Sequence, residues 1–406
     1  MPFIMITVLI DMVSIGLIIP VLPALVGTFT ASPAQQVAWN SAVMFAFSFA
    51  NFFASPVLGA FSDRYGRRPV LLVGFCALSL SFFVTALATQ LWMLIVVRLF
   101  SGAMQSNIAV ANAYVADITA PAERARRFGL LGAMFGLGFI LGPVLGGLLG
   151  AHSLRLPFFV AGGLALINLT YGYFVLPESL PPSRRRAIEW RSALNPVASL
   201  TRLGRLGGVG MLVAVVACAG LAQFVLYSSW VLFTKFKFGW GPLENGWSLF
   251  AVGVVSALVQ GVLLGRLLEW FSPQRLAVLG LISSTLAYLA WGAASEGWMM
   301  YAVIVLNVLG VTVAASIQSI ISGAADATTQ GRTMGAVSAL QSLMAVLAPA
   351  VTAPLLGSVS HFPQGDWRIG APFYFCALIQ LLALVLAWTH FHKARTARLA
   401  PGAPGL

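Results

Sequence analysis

The chain has 406 residues, of which 59% are hydrophobic and only 8% charged, and its net charge is +12. A water-soluble domain is normally about a quarter charged, so this composition excludes a protein whose whole surface meets water, and lipid must solvate most of it. Nucleic-acid binding is also excluded as the meaning of the basic excess, because the Lys and Arg residues fall in short clusters between apolar runs.

A spanning helix needs about 20 apolar residues. In chain order the sequence offers such runs at roughly 3–27, 37–60, 69–89, 91–114, 128–150, 156–176, 208–232, 245–265, 276–294, 298–322, 333–356 and 370–392. They are long and continuous, unlike the short alternating strands of a membrane barrel. An all-α membrane protein with twelve transmembrane helices is expected. The first run follows only Met1 and Pro2, lacks a basic flank and contains Asp11, so it reads as the first span and not as a cleaved leader. Cys76, Cys218 and Cys376 lie in different runs with no metal or disulfide spacing and read as packing residues. With both termini cytoplasmic, only Arg155, Lys235, Lys237 and Arg368 fall in outer loops and Arg98 within the membrane. All other basic residues are then cytoplasmic, as the positive-inside rule requires.

Asp11 and Arg98 are the two ionisable residues clearly inside predicted spans, and such residues usually face a cavity and serve function. At 1.5 Å of rise per residue, Asp11 lies roughly 12 Å from the cytoplasmic face and Arg98 roughly 10 Å from the other. In a core about 30 Å thick that leaves about 8 Å of height between them. The pair is expected to couple protons: burial favours the neutral acid, a nearby guanidinium favours the carboxylate, and alternation between the two would load and release a proton. A static structural pair is the alternative.

The stretch Gly59-Ala-Phe-Ser-Asp63-Arg64-Tyr-Gly66-Arg67-Arg68-Pro69 packs four charges between the second and third runs. Gly59 would admit a neighbouring helix, and Asp63 would face the positive N-terminal end of the eleventh span, near Gly331. Arg67 would pair with Asp117 at the inner end of the fourth. Gly59, Asp63, Arg64, Arg67 and Asp117 thus form a candidate cytoplasmic gate, unless the arginines only anchor topology. In the fifth run Gly136, Gly138, Gly142, Pro143, Gly146 and Gly147 permit close packing and a bend.

The longest polar stretch, Pro177–Arg205, divides the runs six and six. It suggests an N-terminal bundle at 1–176, a cytoplasmic linker at 177–207, a C-terminal bundle at 208–392 and a tail at 393–406. Trp190 and Leu194 make part of the linker either an amphipathic surface helix or a solvated connection. The halves echo each other: Gly59 and Asp63 against Gly265 and Glu269, Gly142-Pro143 against Ala348-Pro349, and Asp117 against Asp326. A parallel six-span repeat is the architecture of a large class of secondary transporters, with substrate sites near the midplane. Candidate cavity-lining residues share helical faces: Arg98, Gln105 and Asn112 in the fourth span, Gln223, Tyr227 and Trp230 in the seventh, and Asn307 and Gln318 in the tenth. Amides and aromatics without a charge cluster suit an amphipathic or weakly charged ligand. Hydrogen bonding between helices is the alternative.

Together these motifs resemble the major facilitator superfamily, and within it the twelve-span drug–proton antiporters, the tetracycline exporters above all. The resemblance covers nearly the whole chain. It rests on the Gly59–Pro69 stretch, on Asp11-x4-Gly16-x3-Pro20-Val-Leu-Pro23, on Arg98-Leu-Phe-Ser-Gly102, on the fifth-run glycines, and on Trp230-Val-Leu-Phe-Thr-x3-Phe-Gly-Trp240. It implies two six-helix pseudo-repeats in the bacterial cytoplasmic (inner) membrane, drug efflux by alternating access, and antibiotic resistance. The gate stretch would stabilise the outward-open state, and the glycines of the fifth span would limit leak. The partners implied are a small-molecule substrate, the proton and the bilayer, with the monomer as the working unit. No resident cofactor is implied; a divalent metal would arrive only with a chelating drug. The chain departs from those exporters where they carry further acids in spans three and nine and a histidine in span eight. Here Ser81, Ser284 and Ser256 stand at those places. Export of another amphipathic compound, and a facilitator or symporter for a neutral sugar-like solute, are therefore the other transport readings. A receptor that retains only the fold is a further one. No nucleophile elbow, zinc-protease helix or phosphate loop points to an enzyme.

Overall fold

The computed structural model describes residues 2–105, 107–120, 123–185, 188, 210–324 and 330–399, with the backbone alone at 107, 108, 125, 324, 330–332 and 393–399. Trp190, Leu194 and Asp326 lie outside these residues. Among the described residues, eleven helices are long and apolar enough to cross a membrane, and one bent pair makes a twelfth if it is taken as one span. In order they are span one (Pro2–Gly27), two (Pro33–Tyr65), three (Arg67–Leu87), four (Leu91–Asp117), five (Arg126–His152) and six (Leu156–Val175). Then come seven (Gly210–Phe238), eight (Pro242–Trp270), nine (Pro273–Ala293), ten (Gly297–Leu306 with Gly310–Gly323), eleven (Thr333–Gly357) and twelve (Trp367–His392). Hydrocarbon offers no partner to a peptide group, so each segment closes its own hydrogen bonds as a helix. Spans two and nine start alike. Ser32 Oγ accepts the amide of Gln35 at 3.3 Å and Ser272 Oγ that of Arg275 at 3.4 Å, each followed by a proline in the first turn.

Three spans are interrupted. Span one turns between Ile18 and Leu22, beside Pro20, which has no amide to donate. Span four is two helices, Leu91–Met104 and Asn107–Asp117. Asn51 of span two replaces a missing intrahelical partner there: its Nδ2 donates to the Gln105 carbonyl at 2.6 Å and to that of Gly102 at 3.3 Å. Span ten breaks at Asn307 with a bend of 56°. Span eight carries a π-helical turn, Val259–Leu263.

The chain packs as two compact units. The first comprises Met1–Pro196, Trp230–Val254 and Leu356–Gln364. The second comprises Val197–Ser229, Val255–Leu355 and Gly365–Leu406. The end of span seven, the start of span eight and the end of span eleven thus group with the first six spans. The core of the first unit is built on Leu17, Leu25, Phe82, Leu94 and Phe158, and on Ile4, Leu71, Phe75 and Tyr114. Polar bridges join its helices: Asn168 Nδ2 donates to the Thr7 carbonyl at 2.9 Å, and Ser79 Oγ to the Gly162 carbonyl at 2.9 Å. The second unit is centred on Val215, Leu281, Ile317, Val337 and Ala383. Large apolar side chains such as Phe174, Trp270 and Leu306 stay exposed on the spans, as a lipid-facing surface requires.

Candidate functional site

The charged stretch after span two folds into a compact ionic node where spans two, four and six end and span three begins. Gly66, at a φ of 109°, ends span two and starts span three at once. Arg67 is buried at the first turn of span three. Its Nη1 meets Asp63 Oδ1 at 2.6 Å and Ser62 Oγ at 2.6 Å, and its Nε donates to Asp117 Oδ2 at 3.1 Å. Ser179 Oγ donates to the same Asp117 oxygen at 3.3 Å. Glu178, just past span six, accepts the amides of Arg67 at 2.8 Å and Arg68 at 3.3 Å. A carboxylate therefore caps span three, where the helix dipole favours negative charge. A side chain at position 66 would strike that carboxylate. The Arg68 guanidinium donates to the Tyr173 carbonyl and stacks over the Tyr173 ring.

This geometry joins Arg67 and Asp117 as the sequence led us to expect. Asp63 also closes on Arg67, one turn along, and a Cβ on Gly59 would meet nothing within 4 Å. Arg64 is exposed over the ring of Tyr65. Glu178, Ser179 and Ser62 were not identified from the sequence. An acid at the very exit of span six, opposite a helix that opens on two arginines, was the signal for Glu178.

Asp11 is 3% exposed in span one. It lines a small cavity with Thr7, Leu71, Phe75, Ala111 and Phe135, so spans one, three, four and five enclose it. Ala111 lies in the second helix of span four and Arg98 in the first, on either side of the break. Asp11 therefore packs with the C-terminal half of that span, while Arg98 sits in its N-terminal half. The sequence estimate of the height between them took span four as continuous. Arg98, 9% exposed, stacks over the ring of Phe47 in span two at 6.0 Å.

The proposed cavity stripes also depended on unbroken helices. Gln105 sits at the break of span four, so Arg98, Gln105 and Asn112 do not share one helical face. Asn307 sits at the break of span ten, where its Oδ1 accepts Ser283 Oγ of span nine at 3.0 Å. Gln318, half-buried, lies beyond that bend. Span seven is continuous. Along it Gln223 is half-buried, Tyr227 is exposed, and Trp230 is buried with its indole N–H donating to Ser248 Oγ at 3.0 Å. Ser81 and Ser284 are buried and Ser256 half-buried.

The glycines of span five form a seam of backbone contact. A Cβ on Gly142 would lie 2.6 Å from Gly16 Cα, and side chains at Gly138 and Gly146 would strike Met12 and Leu17 of span one. Gly147 faces span eight, where an added Cβ would sit 2.7 Å from the Pro242 carbonyl; one on Gly246 would sit 2.6 Å from that of Pro143. Pro143 lies inside this helix and is buried in the seam. A second contact joins the end of span one, the start of span two and the end of span seven. Gln36 donates to the Pro23 carbonyl at 2.6 Å and accepts Lys235 Nζ at 2.8 Å, tying spans one, two and seven.

The sequence matches the Major Facilitator Superfamily over residues 4–349 and 212–404. It is 36% identical to the tetracycline resistance protein, class C, of Escherichia coli, over 92% of this chain and 93% of that one. With the class D tetracycline resistance protein of Salmonella ordonez the identity is 34%, over 93% and 96%. Among solved structures, that of the nucleoside transporter NupG superposes with a TM-score of 0.76 at 12% identity, covering 96% of this chain and 98% of that one. The chain is thus a multi-pass membrane protein of transporter type, not an enzyme, and it belongs to the major facilitator superfamily.

Proposed function

We propose that the chain is a proton-coupled antiporter of the bacterial cytoplasmic membrane that exports an amphipathic, tetracycline-like drug by alternating access. The observation that carries the drug class is the 36% identity to a tetracycline resistance protein along 92% of the chain. Asp11 supports the coupling. It is a buried acid within a span, beside a small cavity, and of the residues that line that cavity it alone is ionisable. The proton gradient drives the cycle, no resident cofactor is needed, and a divalent metal travels only as part of a chelated drug. Both termini are cytoplasmic, and the monomer is the working unit.

Within this reading Arg67 is the hub of the cytoplasmic gate. It ties the loop after span two to the inner end of span four, and Glu178 fixes the helix that carries it. The seam between spans one and five gives the moving parts a close-packed surface that leaves no room for water. Tyr227, Gln223 and Gln318 remain the candidate drug contacts.

Tetracycline uptake into everted vesicles with an acidic interior tests the proposal. Gradient-driven accumulation is expected in the wild type and its loss in Asp11→Asn. Accumulation that survives the substitution removes Asp11 from the mechanism. The serines at 81, 256 and 284 favour one other reading, a facilitator for a neutral solute. Its signature in the same vesicles is tetracycline-independent solute flux without proton movement.

A further inference from the structure

Arg98 is more than nine-tenths buried, and its Nη2 has no hydrogen-bond partner. An arginine near a helix end ordinarily extends its head toward water or lipid headgroups. Arg98 does not, because its helix is locked at this point: a Cβ on Gly102, one turn on, would strike the backbone of Phe47. The guanidinium lies instead over the Phe47 ring, a contact that offsets little of the cost of burying a charge.

A buried cation calls for a counter-ion, and the chain has only 11 Asp and Glu residues to supply one. Asp63 and Asp117 are engaged by Arg67, Glu123 by Arg127 and Asp366 by Arg368. Glu178 caps span three, Glu244 accepts the Gly241 amide, and Glu296 accepts the Trp298 indole. Glu269 is exposed, Asp11 lies in the cavity beside Ala111, and Glu189 and Asp326 fall outside the described residues and outside the predicted spans. No described acid is placed against Arg98. The Phe47 ring beside the guanidinium offers a flat apolar face, and Asn51, one turn beyond Phe47, is held by the carbonyls of Gly102 and Gln105 at the break of span four.

We propose that Arg98 is the receptor for a negative charge on the transported compound, which is then an amphipathic organic acid with one delocalised anionic group such as a carboxylate. This rests on the reading of the chain as an exporter of amphipathic compounds and narrows it. The fork of the guanidinium matches a planar carboxylate, with two N–H groups for two oxygens. A single arginine with amide neighbours selects a monoanion over a phosphate or dicarboxylate.

The test uses the purified full-length protein in a non-ionic detergent. Benzoate, 2-naphthoate and anthracene-9-carboxylate are each compared with the matching amide by thermal stabilisation and by titration. At least one acid is expected to bind the wild type about tenfold or more tightly than its amide, the value of one charge-assisted hydrogen bond. Arg98→Gln should erase that preference and Arg98→Lys retain part of it. Without ligand, Arg98→Gln should melt higher than the wild type, because it removes an uncompensated buried charge. The proposal is overturned if no acid is preferred to its amide, if the preference survives Arg98→Gln, or if sodium chloride alone stabilises the wild type as strongly as the acids do. It is likewise overturned if ligand-free Arg98→Gln melts lower, which would give Arg98 a structural partner. Tetracycline uptake in vesicles is read separately. Acid binding at Arg98 without tetracycline transport would sink the drug assignment alone, and transport without acid preference would sink this proposal alone.

Discussion

Through its guanidinium and its backbone amide, Arg67 donates to four acceptors, Ser62, Asp63, Asp117 and Glu178, and it does so buried at 8% exposure. Removing one partner of such a buried pair costs more than the pair is worth, because the remaining charge stays desolvated. Asp117→Asn should therefore lower stability by about 1–3 kcal/mol, read as a lower melting midpoint, and should reduce vesicle transport with it. Unchanged melting would mean that the Arg67–Asp117 bond is not formed in the resting protein. Glu178 acts on the backbone instead. Its loss in Glu178→Gln should cost about 1 kcal/mol, the usual value of a helix-capping group, with the circular dichroism of the folded protein unaltered. The pairing of Arg67 with Asp117 was readable from a charged motif. Its company was not, because Ser62, Ser179 and Glu178 are ordinary polar residues until the chain returns them to the same place.

Spans one and five meet through glycine backbones, and that contact decides which substitutions the helix tolerates. Gly142→Ala would push a methyl group to 2.6 Å from Gly16 Cα, a backbone atom that cannot step aside. Overpacking of this kind costs about 1–3 kcal/mol, so the variant should melt lower and express poorly. Gly136→Ala, in the same helix but facing open space, should be neutral or slightly stabilising by helix propensity. Equal effects at the two positions would show that the seam is not where the geometry puts it. Gln36 and Lys235 link three spans through one amide. A double-mutant cycle with Gln36→Leu and Lys235→Met should return a coupling energy of roughly 0.5–3 kcal/mol, whereas strict additivity would dissolve the link. The glycine pattern announced close packing but not its partner. Spacing along one helix says nothing about which neighbour lies against it, and the same spacing in spans four and ten misled, because each helix breaks inside the supposed stripe.

In the antiport proposed above, proton and cargo ride alternate strokes, so the two must compete. Drug binding to the wild type should weaken as pH falls, because protonation of Asp11 favours the proton-loaded form, and Asp11→Asn should bind with an affinity independent of pH. Equilibrium titration of purified protein across pH 5.5–8 checks this, and an unaltered pH dependence in the variant would place the proton elsewhere. The sequence by itself determined the solvent, the number of spans and the superfamily. Those follow from hydropathy, charge asymmetry and short motifs, which are local properties of a chain that must satisfy its own backbone in lipid. It also singled out Asp11 and Arg98, since a charge inside an apolar run stands out wherever it lies. Only the tertiary structure decided that Asp11 packs against the second helix of span four while Arg98 lies in the first, that Arg67 shares its node with Glu178, and that span five packs its glycines against Met12–Leu17. Such facts depend on helix rotation, on breaks at Gln105 and Asn307, and on residues more than a hundred positions apart meeting in space. None of these is fixed by the residues within one turn of sequence.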